Sequence, residues 1–430
     1  MGRQRPRRRR RCRRDYPTER RVAPAGGRRH AGRLPWWGAI PEVAPVEALI
    51  ERRLGGLRVS VRRNLALLTV AMLLVFRAVR GGYGRLSLSA LARSLPSAGD
   101  LAVKYKRLLR FLANKHFGAE TMVPELAPLV VGRVKHRLVP VLVDQTDIAG
   151  VPTLMAGVIH RGRVLPIGFT CFAYRQLRRS QNTLETAFFQ LLLASLPPGA
   201  RPVFTADRQY GRGQLLLALN ELGQLFILRG KGKVILWQDG RRRMMRHFRC
   251  APGTPVRYGN LVYREDGVTT VDLIVYFEPG FKQVWYLLVP AGSEAALPTR
   301  QVVNLYRSRM QIEQGFRDWK THLGVRGLKL QKDVALRLPR LLLALAIAYI
   351  CVLLLGASAW AEPYRRRFET LRRRPRHGTR RTLSVLTFAM QLLGAPDLLT
   401  TCRRQLRRIL RALTRGAPAY QGHPALETAT

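Results

Sequence analysis

The chain has 430 residues, 75 of them basic and 26 acidic, for a formal charge of +49. That length can bury a sizeable core in two to four domains, and so basic a chain repels itself unless it binds a polyanion, of which nucleic acid is the obvious one. The five cysteines, Cys12, Cys171, Cys250, Cys351 and Cys402, form no C-x-x-C pair, which argues against a disulfide framework or a structural zinc and suits a reducing cytoplasm.

Residues 1–34 carry 14 arginines against Asp15 and Glu19. Residues 1–45 read as a disordered basic arm that holds phosphates without reading sequence. No apolar stretch of signal-peptide type precedes it, so export is not expected. From 46 to 135 the pattern is helical. "NLALLTVAMLLVFRAV" is an apolar helix, and "LSALARSLPSAGDLAVKYKRLLRFLAN" divides into two helices at Pro96–Gly99. Lys104, Lys106, Arg107 and Arg110 on the second helix fit a helical DNA-binding domain; a basic solvated helix would look much the same.

The pattern changes at "RLVPVLVDQTDIAG", where Val139, Val141 and Val143 alternate toward Asp144 as in a strand. A hairpin turning at Arg161–Gly162 follows, then a helix that Ser180 or Asn182 could cap. "RPVFTAD" is a strand ending at Asp207, followed by a helix and the strand "QLFILRG". These elements predict an α/β fold, a mixed sheet with helices on its faces. Residues 230–284 turn β-rich and look inserted just before the last helix of the sheet domain. The stretch 341–361 passes 21 residues without a charge, long enough to span a bilayer, but reads better as a buried helix, so no membrane partner is expected. Arginine clusters and a basic helix, "CRRQLRRILRALTR", fill the C-terminal region, 336–430.

One late helix, "NLYRSRMQIEQGFRDWKTHLG", carries two stripes. At 100° per residue, Tyr306, Arg309, Glu313 and Lys320 fall inside an arc of about 60°. Leu305, Ile312, Phe316, Trp319 and Leu323 form an apolar stripe beside it. Asp318 lies on the far side from Glu313 and reads as solvated.

The fold would gather three acids: Asp144, Asp207 and Glu313. Such a cluster persists only if it is protonated or binds cations, and its oxygen donors suit Mg²⁺ or Mn²⁺. Two such ions about 4 Å apart would grip a phosphodiester from both sides. Asp147 rivals Asp144 for the first position, although Asp144 follows the apolar alternation directly. Glu185 and Glu221 sit in less telling places.

The row Y-x(2)-R-x(3)-E-x(6)-K resembles the YREK signature of DDE transposases of the bacterial insertion-sequence group four family. Here Tyr306, Arg309, Glu313 and Lys320 fill it. "LVDQTDI" and "FTADRQYGRGQLL" look like that family's two aspartate segments, and the 106-residue gap from Asp207 to Glu313 matches its β-rich insertion. The resemblance covers roughly 50–360. It implies an RNase H-like catalytic core in two parts, 136–229 and 285–335, around the insertion at 230–284. It also implies a cytoplasmic, nucleoid-associated enzyme, homodimeric in the synaptic complex, that cuts and joins DNA at its element's terminal inverted repeats. Asp144, Asp207 and Glu313 would hold two Mg²⁺ or Mn²⁺ ions, and Tyr306, Arg309 and Lys320 would contact phosphates flanking the scissile bond. Arg208 would be a further phosphate ligand or a salt-bridge partner. A flipped base would stack on an aromatic, for which Trp237 is the first candidate and Trp285 the second. The alternative is a transposase-derived DNA-binding protein that no longer cuts.

Overall fold

The computed structural model describes residues 43–78, 86–115, 118–132, 137–177, 180–264, 268–330, 333–372, 379, 382–423 and 426, all within the compact unit Trp37–Thr430. The basic arm expected at 1–45 lies outside them up to residue 42. Five helices come first: α1 (Val43–Arg53), α2 (Val59–Ala78), α3 (Leu88–Ser94), α4 (Leu101–Leu112) and α5 (Ala119–Val131). The expected break at Pro96–Gly99 separates α3 from α4, and the Asp100 side chain starts α4 by accepting from the Val103 amide at 2.8 Å.

Three strands follow, β1 (Arg137–Ile148), β2 (Val151–His160) and β3 (Arg163–Cys171). Arg161 and Gly162 take φ of 46° and 75°, the doubly left-handed conformation of a two-residue hairpin, and His160 pairs with Arg163 across it. Next come α6 (Gln181–Ser195), β4 (Ala200–Ala206), α7 (Gly213–Glu221) and β5 (Leu225–Arg229). Of the two candidate caps for α6, the Ser180 hydroxyl is the one that accepts, from the Thr183 amide at 3.3 Å.

β1 is antiparallel to β2 and parallel to β4, and the order β3-β2-β1-β4-β5 is RNase H-like. The residues between β5 and the last strand form β6 (Ile235–Gln238), β7 (Arg241–Met244), β8 (Val256–Tyr263) and β9 (Thr269–Tyr276). The last strand, β10 (Trp285–Pro290), pairs with both β5 and β9. The inserted strands therefore continue the core sheet into ten strands, ordered β3-β2-β1-β4-β5-β10-β9-β8-β6-β7.

Strand alternation sorts the apolar residues onto the sheet's two faces. Phe204, Phe226, Leu228, Leu273 and Leu288 join the main core, whereas Val203, Ile227, Ile274, Leu287 and Val289 form a second cluster. The second cluster is covered by Val302, Val303, Leu305 and Tyr306 of α8 (Thr299–Arg307). After α8 come α9 (Met310–Arg317), a π-helical turn over Asp318–His322, α10 (Val334–Ala357), α11 (Arg365–Phe368), α12 (Val385–Gly394) and α13 (Leu399–Arg415).

Two helices, α2 and α10, are long and apolar enough to cross a membrane by length and composition, and a bent pair at 385–415 would make a third. α10 is almost wholly covered by protein, packed on α2, α4, α12, α13 and β3. Its buried Arg340 donates to the Leu112 carbonyl at the end of α4, 2.7 Å away. Gly356 lets α10 meet α12, since a Cβ there would stand 2.5 Å from the Val385 carbonyl oxygen and 2.9 Å from the Ala389 Cβ. Gly356→Ala is accordingly expected to destabilise the protein by about 1–3 kcal/mol in denaturant unfolding. Unchanged stability would mean that the two helices do not meet there.

Candidate active site

In the parallel pair β1–β4 the register ends at Leu142↔Thr205. Two residues further on, the same register sets Asp144 beside Asp207, on strands about 4.8 Å apart. Asp207 thus follows the carboxyl end of β4, and Asp144 lies on β1 just past its last residue paired with β4, the side on which α/β sheets place their ligands. Asp144 takes the Gln145 amide on Oδ1 at 2.8 Å, and Asp207 Oδ1 takes the Gln209 amide at 2.7 Å. Glu313 arrives on α9, which packs against β1 and β3.

Arg309 ties the cluster together. It is 8% exposed; its Nη1 lies 3.3 Å from Asp144 Oδ2 and its Nη2 makes a close contact with Glu313 Oε1. Burial alone would lower its pKa, but Tyr306, Asp144 and Glu313 outweigh that and raise it. Asp144 is pushed up to about 6, mainly by burial and also by repulsion from Asp207 and Glu313, against the pull of Arg309 and the Gln145 amide. Lys320 reaches β1 from the π-helical turn, its Nζ 2.5 Å from Thr146 Oγ1, and burial lowers its pKa.

Three of the four residues in the expected row therefore converge on the end of β1. Tyr306 does not. α8 ends at Arg307 and α9 begins at Met310, so Tyr306 turns into the second apolar cluster, its ring 5.1 Å from Trp285. Asp318 is a correction. It was expected to be solvated, yet it is 1% exposed, 2.7 Å from Arg163 Nε and bonded by the Tyr349 hydroxyl at 2.8 Å. The π-helical turn packs this part of the chain inward, with Trp319 between Phe169 and Tyr349.

The other candidates fall into place around the cluster. Asp147 accepts the Gly150 amide at 2.9 Å in the β1–β2 turn, which commits it to the turn. Glu185 is buried against Arg212 and Gln181, while Glu221 and Arg208 are exposed. Trp237 on β6 lies six strand places from β1, roughly 29 Å at ordinary spacing, with Arg264 over its ring at 4.7 Å. The structure does not bring it to the acids. Trp285 is nearer, lining a cavity of about 310 Å³ with Phe281, Tyr306, Arg309 and Met310. Sequence reasoning missed Phe281, an exposed aromatic, and Tyr210, whose hydroxyl is buried without a partner. The only signal for Tyr210 was its place three residues after Asp207.

The all-oxygen donor set and the mutual repulsion of the three acids fit a hard divalent cation. Among the described residues no three His, Cys, Asp or Glu side chains stand close enough to hold one as the chain is arranged. Arg309 occupies that position for Asp144 and Glu313.

Residues 168–350 match the family model described as Transposase DDE domain. The matched stretch contains Asp207, Glu313, Tyr306, Arg309 and Lys320 and begins after Asp144. No curated protein matches the chain. A cryo-EM structure of the piggyBac transposase synaptic complex with hairpin DNA is similar at 12% identity and a TM-score of 0.43, covering 92% of this chain and 85% of that one.

Because Asp144 rises from 3.8 to about 6 on folding, the native state binds its proton more tightly than the unfolded chain does. The stability it contributes is fully present below pH 4 and is lost as pH rises through 6. Without metal at pH 7, Asp144→Asn is expected to be more stable than wild type by up to about 3 kcal/mol, with the gap closing near pH 4. Equal stabilities across that range, by denaturant unfolding in EDTA, would contradict the shift.

Proposed function

We propose that the chain is a metal-dependent DDE transposase of the insertion-sequence group four kind, which cuts and joins DNA at the terminal inverted repeats of its own element. The observation that carries this reading is Arg309, at the N-cap of α9, joining Asp144 to Glu313, with Asp207 in register beside Asp144 on the adjacent parallel strand. Asp144, Asp207 and Glu313 would hold two Mg²⁺ or Mn²⁺ ions, which would activate the attacking oxygen and stabilise the departing one.

The chain's own residues do the rest. Arg309 is a two-pronged donor that already holds two anionic groups, and its fork suits a phosphate flanking the scissile bond. Transfer of that fork to DNA frees Asp144 and Glu313 for metal. Lys320 supplies a point charge beside Thr146, and Arg208 stands exposed next to Asp207. The cavity at Trp285 is the better place for an unstacked base than Trp237, because Arg309 lines it.

DNA as partner is further supported by α13. Its exposed Arg404, Arg408, Arg411 and Arg415 recur at one helix face, opposite buried Cys402, Leu406, Leu410 and Leu413. Lys106 and Arg110 form a smaller exposed pair on α4. Holding two element ends together calls for a homodimer in the synaptic complex.

The second reading, a transposase-derived DNA-binding protein that no longer cuts, is favoured by Arg309 standing between Asp144 and Glu313, two of the acids that would hold metal. One experiment separates the two. Purified protein with Mg²⁺ is expected to nick DNA bearing the element's terminal repeats. Glu313→Gln is expected to lower nicking at least about a hundredfold while DNA binding stays within about threefold, since removing a ligating carboxylate removes the ion's charge stabilisation. Nicking unchanged in that variant would remove Glu313 from the site, and no nicking by wild type would favour the second reading.

Replacing all four arginines of the α13 row with Gln is expected to flatten log K against log salt for DNA binding by up to about 3.6. An unchanged slope would take α13 off the DNA.

A further inference from the structure

Tyr210 is buried near the acids, and packing accounts for its ring but not for its hydroxyl. The turn opened by Asp207 places it there, with the Tyr210 amide donating to the Asp207 carbonyl at 3.1 Å. Its ring meets Phe189 of α6 edge-on at 6.5 Å, and Phe189 in turn meets Phe204 of β4 at 5.0 Å. The side chain is 1% exposed, yet its hydroxyl has no hydrogen-bond partner. A buried hydroxyl left unpaired is costly and uncommon, and a phenylalanine would fill the same space without that cost.

The surroundings of the hydroxyl are acidic. Burial first, then Asp144, Glu185 and Asp207, raise the phenol's pKa well above its usual value, with Arg212 opposing, so it stays a neutral donor. Each of those carboxylates already has donors. Glu185 is held by Arg212 and Gln181, Asp207 by the Gln209 amide, and Asp144 by the Gln145 amide and Arg309. Of these donors, only Arg309 is also asked to serve DNA under the proposed function. When it leaves, Asp144 Oδ2 loses its partner.

We infer that Tyr210 is a positioning residue: its hydroxyl donates to Asp144 once Arg309 has turned to DNA, and so fixes the carboxylate that faces the metal. The inference rests on the proposed function. Outer donors of this kind hold ligating carboxylates in place, and losing one typically weakens metal binding 10–100-fold.

Tyr210→Phe tests this in the full chain with three readings. In EDTA its melting temperature is expected to equal or exceed that of wild type, because the hydroxyl removed has no partner there. Calorimetric titration with Mn²⁺ in the presence of repeat-end DNA is expected to show binding about 10–100-fold weaker than wild type. The nicking rate at sub-saturating Mn²⁺ is expected to fall and to recover toward wild type as Mn²⁺ is raised. Mn²⁺ affinity equal to wild type would overturn the inference and leave the proposed function intact. A lowered melting temperature in EDTA would overturn it too, by showing that the hydroxyl is already bonded without metal. If wild type takes up no Mn²⁺ under these conditions, the proposed function fails first and the inference falls with it.

Discussion

The guanidinium of Arg309 stands between Asp144 and Glu313, 3.3 Å from an oxygen of the first and in close contact with the second. Unit charges 4 Å apart interact by about 4 kcal/mol at an effective dielectric of 20. The attraction of one buried cation to two carboxylates is therefore comparable with the repulsion between the acids and, for Asp144, with part of its desolvation cost. Without that cation Asp144, whose side chain is mostly buried, would lose the charge that opposes its desolvation and its repulsion from Asp207 and Glu313. The cluster is thus built around a positive charge, which Arg309 supplies.

The sheet makes that arrangement cheap to hold. Asp144 and Asp207 come together because β1 and β4 are parallel neighbours in fixed register, each anchored by buried residues on both faces. Arg309 is the N-cap of α9 and Glu313 lies in its first turn, so the start of one helix presents both the third acid and its counter-ion. The long apolar helix α10 lies behind, where it buries Asp318 through Tyr349 and anchors the π-helical turn that carries Lys320. A charge-free stretch of membrane length is here packed among other helices and a strand of the same chain.

Much of this was legible locally. The alternation before Asp144, the turn at Arg161–Gly162, the break at Pro96–Gly99 and the Ser180 cap all rest on short-range rules, and the structure follows them. Readings that needed long-range information fared differently. A straight helical wheel put Tyr306 in line with Glu313 and Asp318 in solvent. The break between α8 and α9 turns Tyr306 toward Trp285, and the π-helical turn buries Asp318. Trp237 and Trp285 both sit on β-rich segments, and only the strand order tells that one lies three places further from β1 than the other. Tyr210 could not be singled out, because a missing partner is a property of three-dimensional surroundings and leaves no mark in sequence.

The most direct measurement is a crystal structure of the full chain with Mn²⁺ and a DNA end carrying the repeat, with manganese located by anomalous scattering. Manganese peaks coordinated by oxygens of Asp144, Asp207 and Glu313, with Arg309 turned from both carboxylates to a phosphate, are the predicted result. Arg309 still clamped between Asp144 and Glu313, with no manganese at the ends of β1 and β4, would contradict it.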